Sequence, residues 1–247
     1  MTAPRLLDAG DCALTVEFDT RIDAAVVDRV GAFDRAVAAA CARGELPGVV
    51  ETMPTFRSLT VLYDPLRTRR SALEPVLQRL LDAPGAPQPA APRAWRLPVC
   101  YGGAHGADLD DVAQAVGMPA LAVAELHAAT TFTVFMIGFM PGFAFIGGLP
   151  SVLSVPRLRE PRLRVPAGSV AITGPLTAVY PWESPGGWRL IGRCPARLFD
   201  AQAMPPALLA PGDRVRFEAV SEGRYVELDA AVRAGEIGFE HWREAAS

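Results

Sequence analysis

Residues 127–200 constrain this chain more than any other stretch, because glycine and proline interrupt them every few positions. Between the breakers stand short apolar runs at 133–137, 170–173, 176–180 and 188–191. Runs that short, bounded by turns, read as β-strands, since a helix needs a longer uninterrupted pattern. Proline fixes φ, and glycine permits positive φ and close backbone approach, so loops rich in both hold a defined shape. Loops of that kind on a β scaffold form binding surfaces. The strands expected after residue 130 suggest a compact barrel.

The preceding residues read differently. Positions 13–18 alternate, with Leu14, Val16 and Phe18 on one side of a strand. From 22 to 41, Ile22, Val26, Val30, Phe33, Val37 and Cys41 recur every three or four residues as one helical face, and Gly44 follows as a stop. Strands are expected at 48–53 and 58–63. Ser71-Ala72-Leu73-Glu74 has the form of a capping box, with Pro75 in the first turn and Leu73, Val76, Leu77, Leu80 and Leu81 on the apolar face. A strand at 96–100 would complete a ferredoxin-like β-α-β-β-α-β unit. Residues 83–92 read APGAPQPAAP, and a stiff proline-rich linker is expected over 84–94. The expected class is therefore α+β, with an N-terminal α/β domain over 1–83 and a β-barrel domain over 95–247. The second domain would carry short helices at 108–116 and 119–129, strands at 213–220 and 225–228, and a terminal helix over 229–246 with Gly235 or Gly238 as its breaking point.

Composition excludes several chemistries. The chain has no lysine and no asparagine, so all 24 of its Lys/Arg cations are arginine. A P-loop lysine, a Schiff-base lysine and a biotinylated lysine are all ruled out, as is N-glycosylation. Any phosphate or carboxylate clamp must come from arginine, backbone N–H or a hydroxyl. A net charge of −3 gives no basis for bulk binding to nucleic acid or an anionic membrane. No apolar run approaches a spanning length, and residues 1–18 lack a signal-peptide core, so a cytoplasmic location is expected. Cys12, Cys41, Cys100 and Cys194 form no CxxC pair and read as reduced thiols. No metal site is expected from the three scattered histidines.

Several residues are candidates for chemistry. His127 closes a helix just before the Gly-Pro loop, where it serves either as a general base or as a histidine favoured by the helix dipole. Arg157, Arg159, Arg162 and Arg164 crowd into eight residues, either as a bidentate anion clamp or as a solvated, ion-paired loop. A loop arginine packs little, so Arg162→Ala should spare folding. Ser169 and Ser184 sit in tight turns outside any GxSxG elbow, which disfavours serine hydrolase chemistry. Tyr180 offers a phenol to a substrate oxygen or to the core, and the Trp188 indole needs a hydrogen-bond partner if buried.

The ordered segments GFMPGF (138–143), PR (156–157), PR (161–162), VPAGSV (165–170), YP (180–181) and SPGGW (184–188) resemble the allophanate hydrolase subunit 1 / KipI family. LPVCYGG (97–103) and ELH (125–127) match it upstream, so the resemblance spans about residues 95–217. It implies a cyclophilin-like barrel. It is nearest to the family's ATP-dependent 5-oxoprolinase branch, which opens 5-oxo-L-proline to L-glutamate in a complex with A and C subunits. It points to His127, Arg157 and Arg162 as catalytic, and to Pro141, Gly142, Phe143, Gly168, Ser169, Tyr180, Ser184, Gly186, Gly187 and Trp188 as substrate- or nucleotide-binding. ATP and magnesium would be held at a site shared with a partner, with no biotin on this chain. Other members imply alternatives: an inhibitor of a sensor histidine kinase, or a carboxyltransferase-type subunit served by a separate biotin carrier. Phe145 stands where relatives usually carry tyrosine, so no essential phenol resides there.

Overall fold

The computed structural model describes residues 3–83 and 92–244, in two compact units, Met1–Ala91 and Pro92–Ser247. The expected linker falls largely on 84–91, outside the described residues.

The N-terminal unit runs β1 (Arg5–Asp8), β2 (Ala13–Glu17), α1 (Ala24–Ala42), β3 (Val49–Pro54), β4 (Ser58–Tyr63) and α2 (Arg70–Asp82). Its antiparallel sheet has the order β1-β2-β4-β3. Asp23 caps α1 by accepting from the Ala25 N–H at 2.9 Å, and Val26, Val30, Phe33 and Val37 face inward against Leu14, Val16, Leu59 and Val61. Each such side chain contributes about 1.5–3 kcal/mol on burial. Ile22 lies before the helix and is exposed. The strand expected to complete this sheet from 96–100 does not belong to it. β1, hairpinned onto β2, occupies that edge instead.

The expected capping box also fails to form. Helix α2 begins at Arg70, its N-cap Arg69 makes no side-chain cap bond, and Pro75 falls in the second turn. Arg70 bonds Glu74 at 3.2 Å one turn later and also pairs with Asp8. This fastening takes the place of a serine cap.

The second unit contains β5 (Ala94–Tyr101), α3 (Leu109–Val116), α4 (Ala120–Ala129), β6 (Thr131–Ile137), β7 (Ala144–Gly147), β8 (Arg162–Val165), β9 (Ser169–Thr173), β10 (Leu176–Val179), β11 (Ser184–Gly186), β12 (Arg189–Arg193), β13 (Arg214–Ala219) and α5 (Glu222–Arg233). Seven of these strands close a barrel in the order β10-β7-β6-β13-β5-β12-β9. Only β5 and β13 run parallel within it; the other pairings are antiparallel. Leu97, Val99, Phe132, Val134, Ile146, Val170, Ile172, Val215 and Phe217 share its core. Strands β8 and β11 pair separately as a two-stranded ribbon.

One carboxylate fastens the start of the barrel. Asp213, just before β13, accepts from Arg93 Nε at 3.0 Å, Arg93 Nη2 at 2.6 Å, Trp95 Nε1 at 2.8 Å and the Ala210 N–H at 2.9 Å. The strand expected at 225–228 is instead part of α5. Its buried residues are Tyr225 and Leu228, three apart, which is helical spacing, and Ser221 caps the helix by accepting from the Arg224 N–H. Helix α5 starts earlier than the terminal helix expected over 229–246 and ends at Arg233, just before the expected break at Gly235, and a 3₁₀ turn, Phe239–Trp242, follows. No single helix among the described residues is long and apolar enough to cross a membrane.

Candidate functional site

The ribbon of β8 and β11 brings several expected site residues together. Phe143, from the GFMPGF loop, meets the Tyr180 ring edge-on at 5.2 Å and the Trp188 ring at 6.0 Å. Phe145 lies 6.0 Å from Trp188, so the ring is retained where the phenol is not. The Arg157 guanidinium stands 5.9 Å over the Trp188 ring, within cation–π range. Tyr180 is buried, and burial raises its phenol above the ordinary value, opposed by the nearby charges of Arg157 and Arg162 and by a bond from the Trp188 backbone N–H.

Glycine is required here for space. A Cβ on Gly186 would lie 2.5 Å from Tyr180 Oη, so the strand crosses directly over the phenol. Gly187 accepts from the Leu158 N–H at 2.7 Å, tying the arginine loop to the ribbon. Ser184 lies in β11, and its Oγ reaches only the carbonyl of Pro185, at 3.3 Å.

Arg162 opens β8 and is two-sided. Its Nη2 donates to Asp108 Oδ1 at 2.6 Å, while its Nη1 is buried without a hydrogen-bond partner. Asp108 is only 2% exposed, and its other oxygen accepts from the Leu190 N–H at 2.7 Å. Arg162 therefore does pack, and the expectation that its removal spares folding does not fit this geometry. Asp108 is the residue that sequence reasoning missed. Its position suits an acidic helix start, yet its carboxylate makes no cap bond to α3 and turns to Arg162 and β12 instead. Nothing in local spacing signals a partner 54 residues away.

The GFMPGF loop carries the one non-glycine residue with positive φ among the described residues, Phe139 at 70°, and its ring is 66% exposed. Pro141 is exposed and its carbonyl accepts from Trp182 Nε1 at 3.1 Å. Gly142 has φ 79°, and a Cβ there would meet Phe199 at 2.7 Å. Phe139 and Trp182, the latter tied to this loop through Pro141, expose apolar rings to solvent, and Leu163 on β8 is exposed as well.

Gly168 and Ser169 join the aromatic cluster through the backbone of Tyr180, whose carbonyl accepts from the Gly168 N–H at 2.7 Å and whose N–H donates to the Ser169 carbonyl at 2.9 Å. Gly168 approaches the Cys194 carbonyl so closely that a Cβ would lie 2.5 Å away, and it helps line a cleft of about 400 Å³ with Arg193, Arg197, Tyr225 and Arg233. Ser169 is buried, and its backbone pairs with Tyr180.

His127 is not in either place. It is fully buried in the barrel, stacked on Phe217 at 4.7 Å and beside Phe132 at 5.0 Å. Thr177 Oγ1 gives its proton to the Ala171 carbonyl at 3.2 Å, so it must accept from His127 Nε2–H at 2.9 Å. His127 Nδ1 then accepts from the Tyr101 hydroxyl at 2.7 Å. Burial lowers its pKa from 6.5 to about 3, keeping the ring neutral. A general base must meet substrate or solvent, and this ring meets neither. It joins α4 to two barrel strands.

Comparison with known proteins agrees with this fold. Residues 4–209 match the family model described as carboxyltransferase domain, subdomain C and D. The B subunit of 5-oxoprolinase from Bacillus subtilis (strain 168), a curated protein, is 37% identical over 227 residues, 87% of this chain and 92% of that protein. The corresponding B subunit of Escherichia coli O157:H7 is 46% identical over 180 residues, 72% of this chain and 82% of that protein. The crystal structure of TTHA0988 superposes with a TM-score of 0.72 at 35% identity, over 85% of this chain and 40% of that one. On this match and on these identities, the chain belongs to the carboxyltransferase subdomain C and D family, among the relatives named as the B subunit of 5-oxoprolinase.

Proposed function

We propose that this chain is part of an ATP-dependent 5-oxoprolinase complex, working with A and C subunits to convert 5-oxo-L-proline to L-glutamate. A five-membered lactam is a stable amide that water attacks slowly. Transfer of the γ-phosphoryl group of ATP to the lactam oxygen makes an electrophilic carbon and releases ADP. Water then adds to that carbon, the ring nitrogen takes up a proton and leaves as the C–N bond breaks, and the resulting acyl phosphate is cleaved to carboxylate and phosphate by a second water. The products are L-glutamate, ADP and phosphate. Such chemistry needs positioned positive charge more than a covalent partner.

The observation that carries this reading is the buried Nη1 of Arg162, which has no hydrogen-bond partner, on an arginine whose charge acts on Tyr180 together with that of the exposed Arg157. Asp108 fixes the plane of the guanidinium, which leaves a donor edge for an oxyanion of substrate or nucleotide. Gly186 lets the ribbon lie close over Tyr180, Gly187 ties the arginine loop to it through Leu158, and Trp188 and Phe143 form an apolar wall. Pro141, Gly142, Gly168, Ser169 and Ser184 belong to the loops that shape the surrounding surface. Among the described residues no group of three His, Cys, Asp or Glu side chains suits a metal ion, so no step is routed through magnesium on this chain.

An arginine edge without a complete nucleotide site fits a site shared with the C subunit. The exposed ring of Phe139 packs on Phe143 at 5.4 Å, and with the exposed ring of Trp182 it suits docking of that partner. TTHA0988 fits as well, since this fold fills only 40% of a longer chain. We assign the N-terminal unit to the ferredoxin-like type, with β1 in place of the last strand, and the barrel to the cyclophilin-like type. The unpaired thiols and the need for ATP suit the cytoplasm. Kinase inhibition is the second reading, because the same exposed rings would serve it. Co-purification separates the two. The C subunit should be retained by the wild-type chain and released by the double variant Phe139→Ser, Trp182→Ser. Retention undiminished in that variant contradicts the shared face.

A further inference from the structure

Strands β5 and β13 run parallel and place Arg96 directly beside Arg216 on the outer face of the barrel. Like charges at directly paired positions of a sheet repel, and a fold keeps them only if something else compensates. Glu244 compensates Arg96 alone, accepting from its Nε at 2.9 Å. Arg216 has no hydrogen-bond or ion-pair partner among the described residues. Glu218, two residues along the same face, likewise has none, and the two do not pair with each other. All three line a cleft of about 540 Å³ walled by Leu228 and Trp242. A volume of that order suits a small molecule.

We propose that this cleft binds a small α-amino-acid zwitterion. The carboxylate meets the planar fork of Arg216 and relieves its repulsion with Arg96. The ammonium meets the unpaired carboxylate of Glu218, roughly 7 Å along the strand by backbone spacing. The ligand side chain lies against Leu228 and Trp242, within reach of Arg224 at the rim. Arg96, Arg224 and Arg243 also line the cleft but are paired with Glu244, Glu227 and Glu240, so among the described residues a bare polyanion would meet one free cation, Arg216, and the free carboxylate of Glu218. This site is separate from the Arg162 cluster and does not rest on the reaction proposed above.

The test is calorimetric titration of the full chain, alone, with L-glutamate, glutarate and inorganic phosphate. L-Glutamate should bind saturably, and glutarate, lacking the ammonium, at least tenfold more weakly. Arg216→Ala should weaken L-glutamate binding tenfold or more, as should Glu218→Gln, with melting temperature unchanged because both side chains are exposed. Absence of saturable L-glutamate binding overturns the proposal. So does glutarate or phosphate binding as tightly as L-glutamate, or Arg216→Ala binding like the wild type. Because neither the A nor the C subunit is present, none of these results bears on turnover by the complex.

Discussion

Arg162 donates from Nη2 to Asp108 Oδ1 at 2.6 Å, and Asp108 in turn accepts from the Leu190 N–H at 2.7 Å. One carboxylate thus holds an arginine of the ribbon and a strand of the barrel. Removing Arg162 leaves a buried charge with one partner fewer. Arg162→Ala should therefore cost about 2 kcal/mol of stability as well as tenfold or more in reconstituted turnover. Arg162→Lys should restore part of the stability and less of the activity, because an ammonium cannot span Asp108 and a ligand in one plane. Urea midpoints and turnover measured on the same preparations check this. Unchanged stability in the alanine variant contradicts it.

The His127 ring gives the pH dependence a definite sign. Its folded pKa is depressed from 6.5 to about 3, so the unfolded chain takes up a proton that the folded chain refuses. Its contribution is full above about pH 6.5 and is lost as pH falls toward 3, at up to ~1.4 kcal/mol per unit. Equilibrium unfolding of wild type and His127→Gln between pH 7 and 4 isolates that slope by difference. The variant should be less stable at pH 7 and shallower in its dependence. Parallel pH curves would mean that the ring takes up its proton equally in the folded and the unfolded chain, which contradicts the depressed value.

Much of the architecture is legible in local pattern. The α1 face through Val26, Val30, Phe33 and Val37 is buried, and strands fall where glycine and proline bracket apolar runs. What is not legible depends on partners distant in the chain. Arg5–Asp8 is too short and polar to announce a strand and exists because β2 offers it an edge. The strand at 96–100 shows in the sequence, but its pairing to residues 192–193 and 214–219 does not, since hydrophobic pattern carries no address. Tyr225 and Leu228 show the opposite failure, where four residues fit either period and only the Ser221 cap decides for a helix. In the site, composition singles out the arginine loop and the SPGGW turn, and the ribbon joins them. The role of Asp108 and the burial of His127 cannot be read locally, because both follow from barrel closure.

Asp213 supports the barrel through four donors from three residues. Asp213→Ala strands the buried Trp95 indole N–H and leaves Arg93 with no counter-charge, held only by the Leu208 carbonyl at 3.4 Å and the Trp95 ring. A loss of about 3 kcal/mol is expected. Asp213→Asn should recover part of this, since its carbonyl still accepts the indole. Denaturant titration reads both. An alanine variant within about 0.5 kcal/mol of wild type would show that water replaces the network at no cost.

The central claim is that this chain supplies an essential part of a site completed by other subunits. The direct measurement is L-glutamate and ADP formation from 5-oxo-L-proline and ATP, with this chain and the A and C subunits mixed and each omitted in turn. The account predicts coupled formation of both products in the complete mixture, and their loss when this chain is left out or assayed alone. Full turnover without this chain, or turnover by this chain unaided, would contradict it.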